Sequence, residues 1–172
     1  MTLIHIKTAI LTGLMAGLLL TGCAYHLVGH GGGSGAIPAD VTSITVDGNA
    51  EARLISQLRQ RLQSDRYSIV DSSAVTDISH HATVLLNIYP LVFTPSAFDI
   101  SGVATQYRMT FTGALKVNRG NQTIWQSGLI QRQGDVFVTG GPTSIEASKQ
   151  RLQQDLSKQW LSDAVGRIRA GF

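Results

Sequence analysis

The chain has 172 residues, enough for one domain and a targeting segment. Apolar residues make up 43% of it and charged residues only 15%, against about 25% in ordinary soluble domains, so a buried core is expected and disorder is not. The formal charge of +3 comes from few acids and not from a basic stripe, which argues against a nucleic-acid partner. A single cysteine rules out an intrachain disulfide and any Cys₂ or Cys₄ zinc site.

From Ala9 to Leu20 the chain reads AILTGLMAGLLL behind one cation, Lys7. Such a run is too short to span a bilayer, which takes about 20 residues, and has the form of a secretory signal core. It ends Leu20-Thr21-Gly22-Cys23, a lipobox: small residues a signal peptidase can cut behind, then a thiol that can take a diacylglycerol. The chain's one cysteine is at this place. Residues 1–22 therefore read as a lipoprotein signal peptide and Cys23 as the acylated first residue of a mature chain of 150, with 13 basic and 11 acidic side chains. Diacylglycerol plus an N-acyl chain holds a protein stably to a membrane, at about 0.8 kcal/mol per buried CH₂. Position 24 is Ala and not the Asp that retains lipoproteins at the inner membrane of Gram-negative bacteria. This points to the outer membrane, facing the periplasm.

Residues 29–35, GHGGGSG, lack the following Lys-Ser or Lys-Thr of a phosphate-cradling loop. They read as part of a flexible tether over 23–38, and the folded domain as 39–172. Val41–Asp47 alternates as a strand. Asn49 is a candidate N-cap for an amphipathic helix over 50–64, with Leu54, Ile55, Leu58 and Leu62 on one face. Tyr67–Val70 is a short strand, and Asp71–His81 a polar loop. Three long extended segments follow. Ala82–Phe98 is interrupted by Pro90 and Pro95, Val103–Asn118 alternates strongly, and Gln122–Val138 returns after the turn at Asn118–Asn121. On the second of these, Tyr107, Met109, Phe111, Leu115 and Val117 point one way and Arg108, Thr110, Thr112, Lys116 and Asn118 the other, with Gly113 breaking the apolar row. Thr143 to Glu146 forms a capping box for a last helix running to about Arg169, with Ile145, Leu152, Leu156, Trp160 and Ile168 as its stripe. The predicted fold is α+β, a two-layer α/β sandwich with two helices on one face of a roughly four-stranded mixed sheet.

No catalytic constellation is present, and the protein is expected not to be an enzyme. The eleven acids are scattered and no G-x-S-x-G elbow occurs. His26 and His30 lie in glycine-rich coil, and His80 and His81 are adjacent, so all four read as loop histidines and not as metal ligands. No cofactor is expected beyond the acyl groups on Cys23. What remains is a neutral polar surface with twelve glutamines, and basic residues on the second sheet face: Arg108, Lys116 and candidates Arg119 and Arg132. These could meet an anionic ligand. A cavity between sheet and helices lined by Tyr107, Met109, Phe111 and Trp160 would instead suit a small amphiphile or lipid.

Three passages together carry a family resemblance. Cys23-Ala24-Tyr25-His26-Leu27 resembles the Cys-Gly-Tyr/Trp-His-Leu opening of the LPS-assembly lipoproteins, the LptE family. Ile37-Pro38 followed by VTSITVD is similar to that family's passage into its first strand. Gly102-Val-Ala-Thr-Gln-Tyr107-Arg108-Met resembles its strand entry. The resemblance spans nearly all of the mature chain. It implies an outer-membrane lipoprotein that sits in the lumen of the LptD β-barrel, aids its assembly, and takes part in passing lipopolysaccharide to the outer leaflet. It also implies lipopolysaccharide binding through basic residues in two loops. Here those loops depart from the pattern: Ser96–Gly102 carries Asp99 and no base, and Thr139–Ser144 is uncharged. Arg108, Lys116, Arg132 and Lys149 are then the candidate lipopolysaccharide contacts.

Overall fold

A computed structural model describes residues 35–63, 65, 67–138 and 142–172, with the side chains of 142 and 143 left out. The signal segment, Cys23, His26, His30, the Gly140–Gly141 turn and the Thr143 cap lie outside the described residues.

The elements run β1 (Ser43–Gly48), α1 (Ala52–Gln63), β2 (Ser68–Ile69), a short 3₁₀ turn (Ser72–Ala74), β3 (His81–Ile88), β4 (Val92–Phe98), β5 (Ala104–Arg119), β6 (Gln122–Phe137) and α2 (Pro142–Ala170). Among the described residues they build an α+β fold with two helices and one mixed sheet. The sheet has six strands, not about four. Two features raise the number: the short Ser68–Ile69 strand joins the edge, and Pro90, which has no N–H to donate, divides the segment 82–98 into β3 and β4.

β1 pairs in parallel with β2 and with β3. One edge of β5 is shared: its second half pairs with β3, Thr83 opposite Asn118 through Ile88 opposite Gly113, and its first half with β4, Val92 opposite Thr110 through Phe98 opposite Ala104. The Tyr89 amide bridges the break by donating to Thr112 O at 3.0 Å. β6 runs antiparallel along the other edge of β5 for nearly its whole length.

The alternation read in β5 holds. Met109, Phe111, Leu115 and Val117 are buried, while Arg108 and Lys116 are exposed. The apolar row joins Ile44 and Val46 of β1, Val84 and Leu86 of β3, Leu54, Leu58 and Leu62 of α1, and Leu156, Trp160 and Ile168 of α2 in one core. Ala36 and Ile37 are buried in it as well, the Ala36 amide donating to Ile168 O at 2.7 Å.

Two glycines let α2 come close to the sheet. A Cβ at Gly113 would lie 2.7 Å from Trp160 Cζ2, and one at Gly134 would lie 2.5 Å from Leu152 Cδ1. Trp160, fully buried, donates from Nε1 to Ile130 O at 3.0 Å and meets Phe111 edge-on, with ring centroids 5.9 Å apart.

Asn49 does not act as a cap. Its Oδ1 accepts from Ile88 N at 2.7 Å, and its Nδ2 donates to Ile88 O at 3.1 Å and to Asn87 Oδ1 at 3.0 Å. A short amide side chain next to the end of a strand satisfies the neighbouring backbone as another strand would.

Candidate functional site

The second row of the sheet is neutral and polar. Cross-strand pairing sets Thr110 opposite Gln133 and Thr112 opposite Gln131. At one end of this row Arg108 faces Asp135, donating from Nε to Oδ1 at 3.0 Å and from Nη2 to Oδ2 at 3.3 Å. These hydrogen bonds hold the Asp135 carboxyl below the usual carboxylate range and raise Arg108. Lys116 is exposed on the same row, with no ion-pair partner among the described residues. It lies eight positions along the strand from Arg108, about 27 Å when extended.

The structure separates the candidate contacts. Arg132 sits opposite Phe111, on the core-facing row and not on the open one, and is ion-paired to Asp163 of α2. Lys149 lies on α2, 3.6 Å from Glu146 and 5.2 Å from the centre of the Phe93 ring, which stacks on Tyr107 at 4.9 Å. Arg119 donates to Asp40 Oδ1 at 2.8 Å, which lowers the Asp40 carboxyl. Arg108, Lys116, Arg132 and Lys149 thus form no common basic site: Asp135 and Asp163 on adjacent elements hold the two arginines, and Glu146 of the same helix lies beside Lys149.

The histidines divide. His80 stays exposed, its Nδ1 2.8 Å from Asp77 Oδ2. Bonds from the Ser79 hydroxyl, then from His80 and the Ser79 amide, hold Asp77 far below its ordinary pKa. His81 is no loop residue: it opens β3, is buried, and has Nδ1 3.0 Å from Ser43 Oγ. Burial pushes its pKa down.

Sequence reasoning missed two features. The first is the tip of the β4–β5 hairpin, where Phe98, Ile100 and Val103 are exposed, with Phe137 of β6 beside them. The only acid of this loop, Asp99, turns its Oδ1 back onto the amides of Ser101 and Val103 at 2.8 and 2.9 Å, which braces an apolar tip. The signal was in view as Phe-Asp-Ile-Ser-Gly-Val, a turn with apolar residues where polar ones are usual. The second is a groove of about 380 Å³ between α1 and α2, floored by Leu54, Leu91 and Phe111. The cavity expected among Tyr107, Met109, Phe111 and Trp160 is not where the space lies: Met109 and Trp160 are fully buried core, and the groove opens beyond Phe111.

No known family model and no curated protein matches the chain. Solved structures do. Rare lipoprotein B from Shewanella oneidensis aligns over 75% of this chain and 92% of its own, at 15% identity and a TM-score of 0.55. Lipoprotein B from Nitrosomonas europaea aligns over 81% and 86%, at 14% and 0.55. The minor lipoprotein from Acinetobacter baumannii aligns over 76% and 92%, at 11% and 0.56. The chain shares its fold with bacterial lipoproteins. At these identities the likeness is one of fold. The shared fold spans nearly the whole of each neighbour.

Proposed function

We propose that the protein is an outer-membrane lipoprotein, acylated at Cys23, that binds and plugs an LptD-type β-barrel. In this reading it assists the barrel's assembly and the insertion of lipopolysaccharide into the outer leaflet, without catalysis. The observation that carries it is the pairing of a lipobox cysteine with a fold shared over 86–92% of the length of three lipoproteins, added to the family resemblance of Cys23–Leu27 and of the strand entry at Tyr107-Arg108.

The surface chemistry supports it. In the two-layer reading both helices cover one sheet face and leave the other to a partner. That other face offers hydroxyls and amides from Thr110, Thr112, Gln131 and Gln133, and its Arg108 charge is already balanced by Asp135. Large barrels have polar interiors, and neutral hydrogen-bonding groups meet such a wall with little desolvation cost. Lipopolysaccharide, if it touches this chain, has Lys116 as its uncommitted cation, with Arg108, Arg132 and Lys149 available only in competition with their acids.

Co-purification tests the reading. A tagged chain extracted from the outer membrane in mild detergent should carry one large β-barrel protein at equal stoichiometry. Recovery as a free monomer under the same extraction contradicts it.

A further inference from the structure

The groove between the helices has a lining that the barrel reading does not use. Gln57 of α1 faces Gln150, Gln153 and Gln154 of α2 across it, above a floor of Leu54, Leu91 and Phe111. None of these four side-chain amides has a hydrogen-bond partner among the described residues, and Gln57 and Gln153 are half-buried. These amides reach solvent and are free to donate to and accept from the polar group of an occupant. The groove's volume lies within the range of small-molecule sites, about 300–1,000 Å³.

The lining also selects among occupants. Its charged groups, Glu51, Arg53 and Lys158, are all exposed. Lys158 has Asp155 at 3.7 Å. No ionised group waits on the floor, so a buried carboxylate or phosphate would go unpaired there. A peptide strand is disfavoured too. Both Ile88 backbone groups are committed to Asn49 and the Tyr89 amide to Thr112, so these groups are not free for strand addition. An apolar chain with one uncharged ester, amide or hydroxyl group fits: the chain lies on Leu54, Leu91 and Phe111, and the amides serve the polar group.

We infer that the groove between α1 and α2 binds the acyl chain of an uncharged single-chain amphiphile, of which a monoacylglycerol is the simplest example. The inference does not depend on the barrel reading, and it concerns the side of the molecule away from the neutral sheet row.

Photo-crosslinking tests it. The full chain, purified from host membranes, is placed alone in vesicles of phosphatidylethanolamine and phosphatidylglycerol. Lauroylglycerol carrying a diazirine at its chain end is added, and the labelled peptides are mapped. Label is expected on the α2 stretch that lines the groove, residues 150–158. It should fall about tenfold, 1.4 kcal/mol, in Gln153→Phe and in Gln57→Phe, which fill the groove from either wall, and stay unchanged in Gln159→Phe, which does not line it. Circular dichroism confirms that each variant is folded. Equal labelling of 150–158 in the filled variants, or no label there in the natural chain, overturns the inference. No barrel is present, so failure of the barrel reading leaves this result untouched.

Discussion

Trp160 occupies the space that a side chain at Gly113 would need: a Cβ there would stand 2.7 Å from Cζ2 of the indole and 2.6 Å from Ile88 Cδ1. The gap in the apolar row of β5 is therefore the seat of the largest core residue on α2, and it fixes how closely that helix approaches the sheet. Gly113→Ala should destabilise the fold by about 1–3 kcal/mol through overpacking, read as a lower urea midpoint. Gly166→Ala is the control. It lies in α2, the helix of Trp160, with nothing near its Cβ position, and should gain about 0.5–1 kcal/mol from helix propensity. Equal effects from the two substitutions would contradict this packing.

Asn49 connects the end of β1 to the end of β3. Asn49→Ala removes the partners of both Ile88 backbone groups and should cost about 1–3 kcal/mol. Asn49→Asp keeps the acceptor for Ile88 N and loses the donor, so it should fall between the two. If Asn49 capped α1 instead, Asp would replace it without loss, and denaturant melts of the two variants separate the cases.

His81 gives the fold a pH dependence of defined sign. Burial lowers its pKa in the folded state below 6.5, so the unfolded chain takes up this proton first as pH falls. Stability should therefore drop as pH decreases through and below about 6.5. The carboxylates of Asp40 and Asp135, lowered by their arginines, act in a separate window: their contribution is full above about 3.8 and is lost only as pH falls through their depressed folded values. Urea midpoints between pH 7.5 and 5 should slope in the natural chain and flatten in His81→Gln. An equal slope in both would assign the dependence elsewhere.

The neutral sheet row makes a prediction that separates folding from partner binding. Gln131→Trp and Gln133→Trp place bulk on exposed positions of that row, and should leave the unfolding free energy within about 0.5 kcal/mol of the natural chain while lowering recovery of the barrel. Gln159→Trp, exposed on α2, should change neither. Full barrel recovery with all three variants would remove the sheet row from the interface.

Periodicity carried much of the fold in the sequence. Leu54, Leu58 and Leu62 at helical spacing, and Met109, Phe111, Leu115 and Val117 at strand spacing, are buried where the pattern puts them. Long-range relations were hidden. Asn49 next to a helix looks like a cap, and only the sheet pairing brings Ile88, 39 residues away, within its reach. His81 looks like half of an exposed pair until the start of β3 turns it inward. Arg132 shares a strand with open-row residues, but its parity follows the pairing to Phe111 and carries it to Asp163. The groove could not be read at all, since it arises where two helices distant in sequence diverge over Phe111.

The most direct test of the central claim is depletion of the protein in its host, with surface lipopolysaccharide and the folded state of the large outer-membrane barrel read together. The account predicts that both are lost. Normal surface lipopolysaccharide with an intact barrel would contradict it.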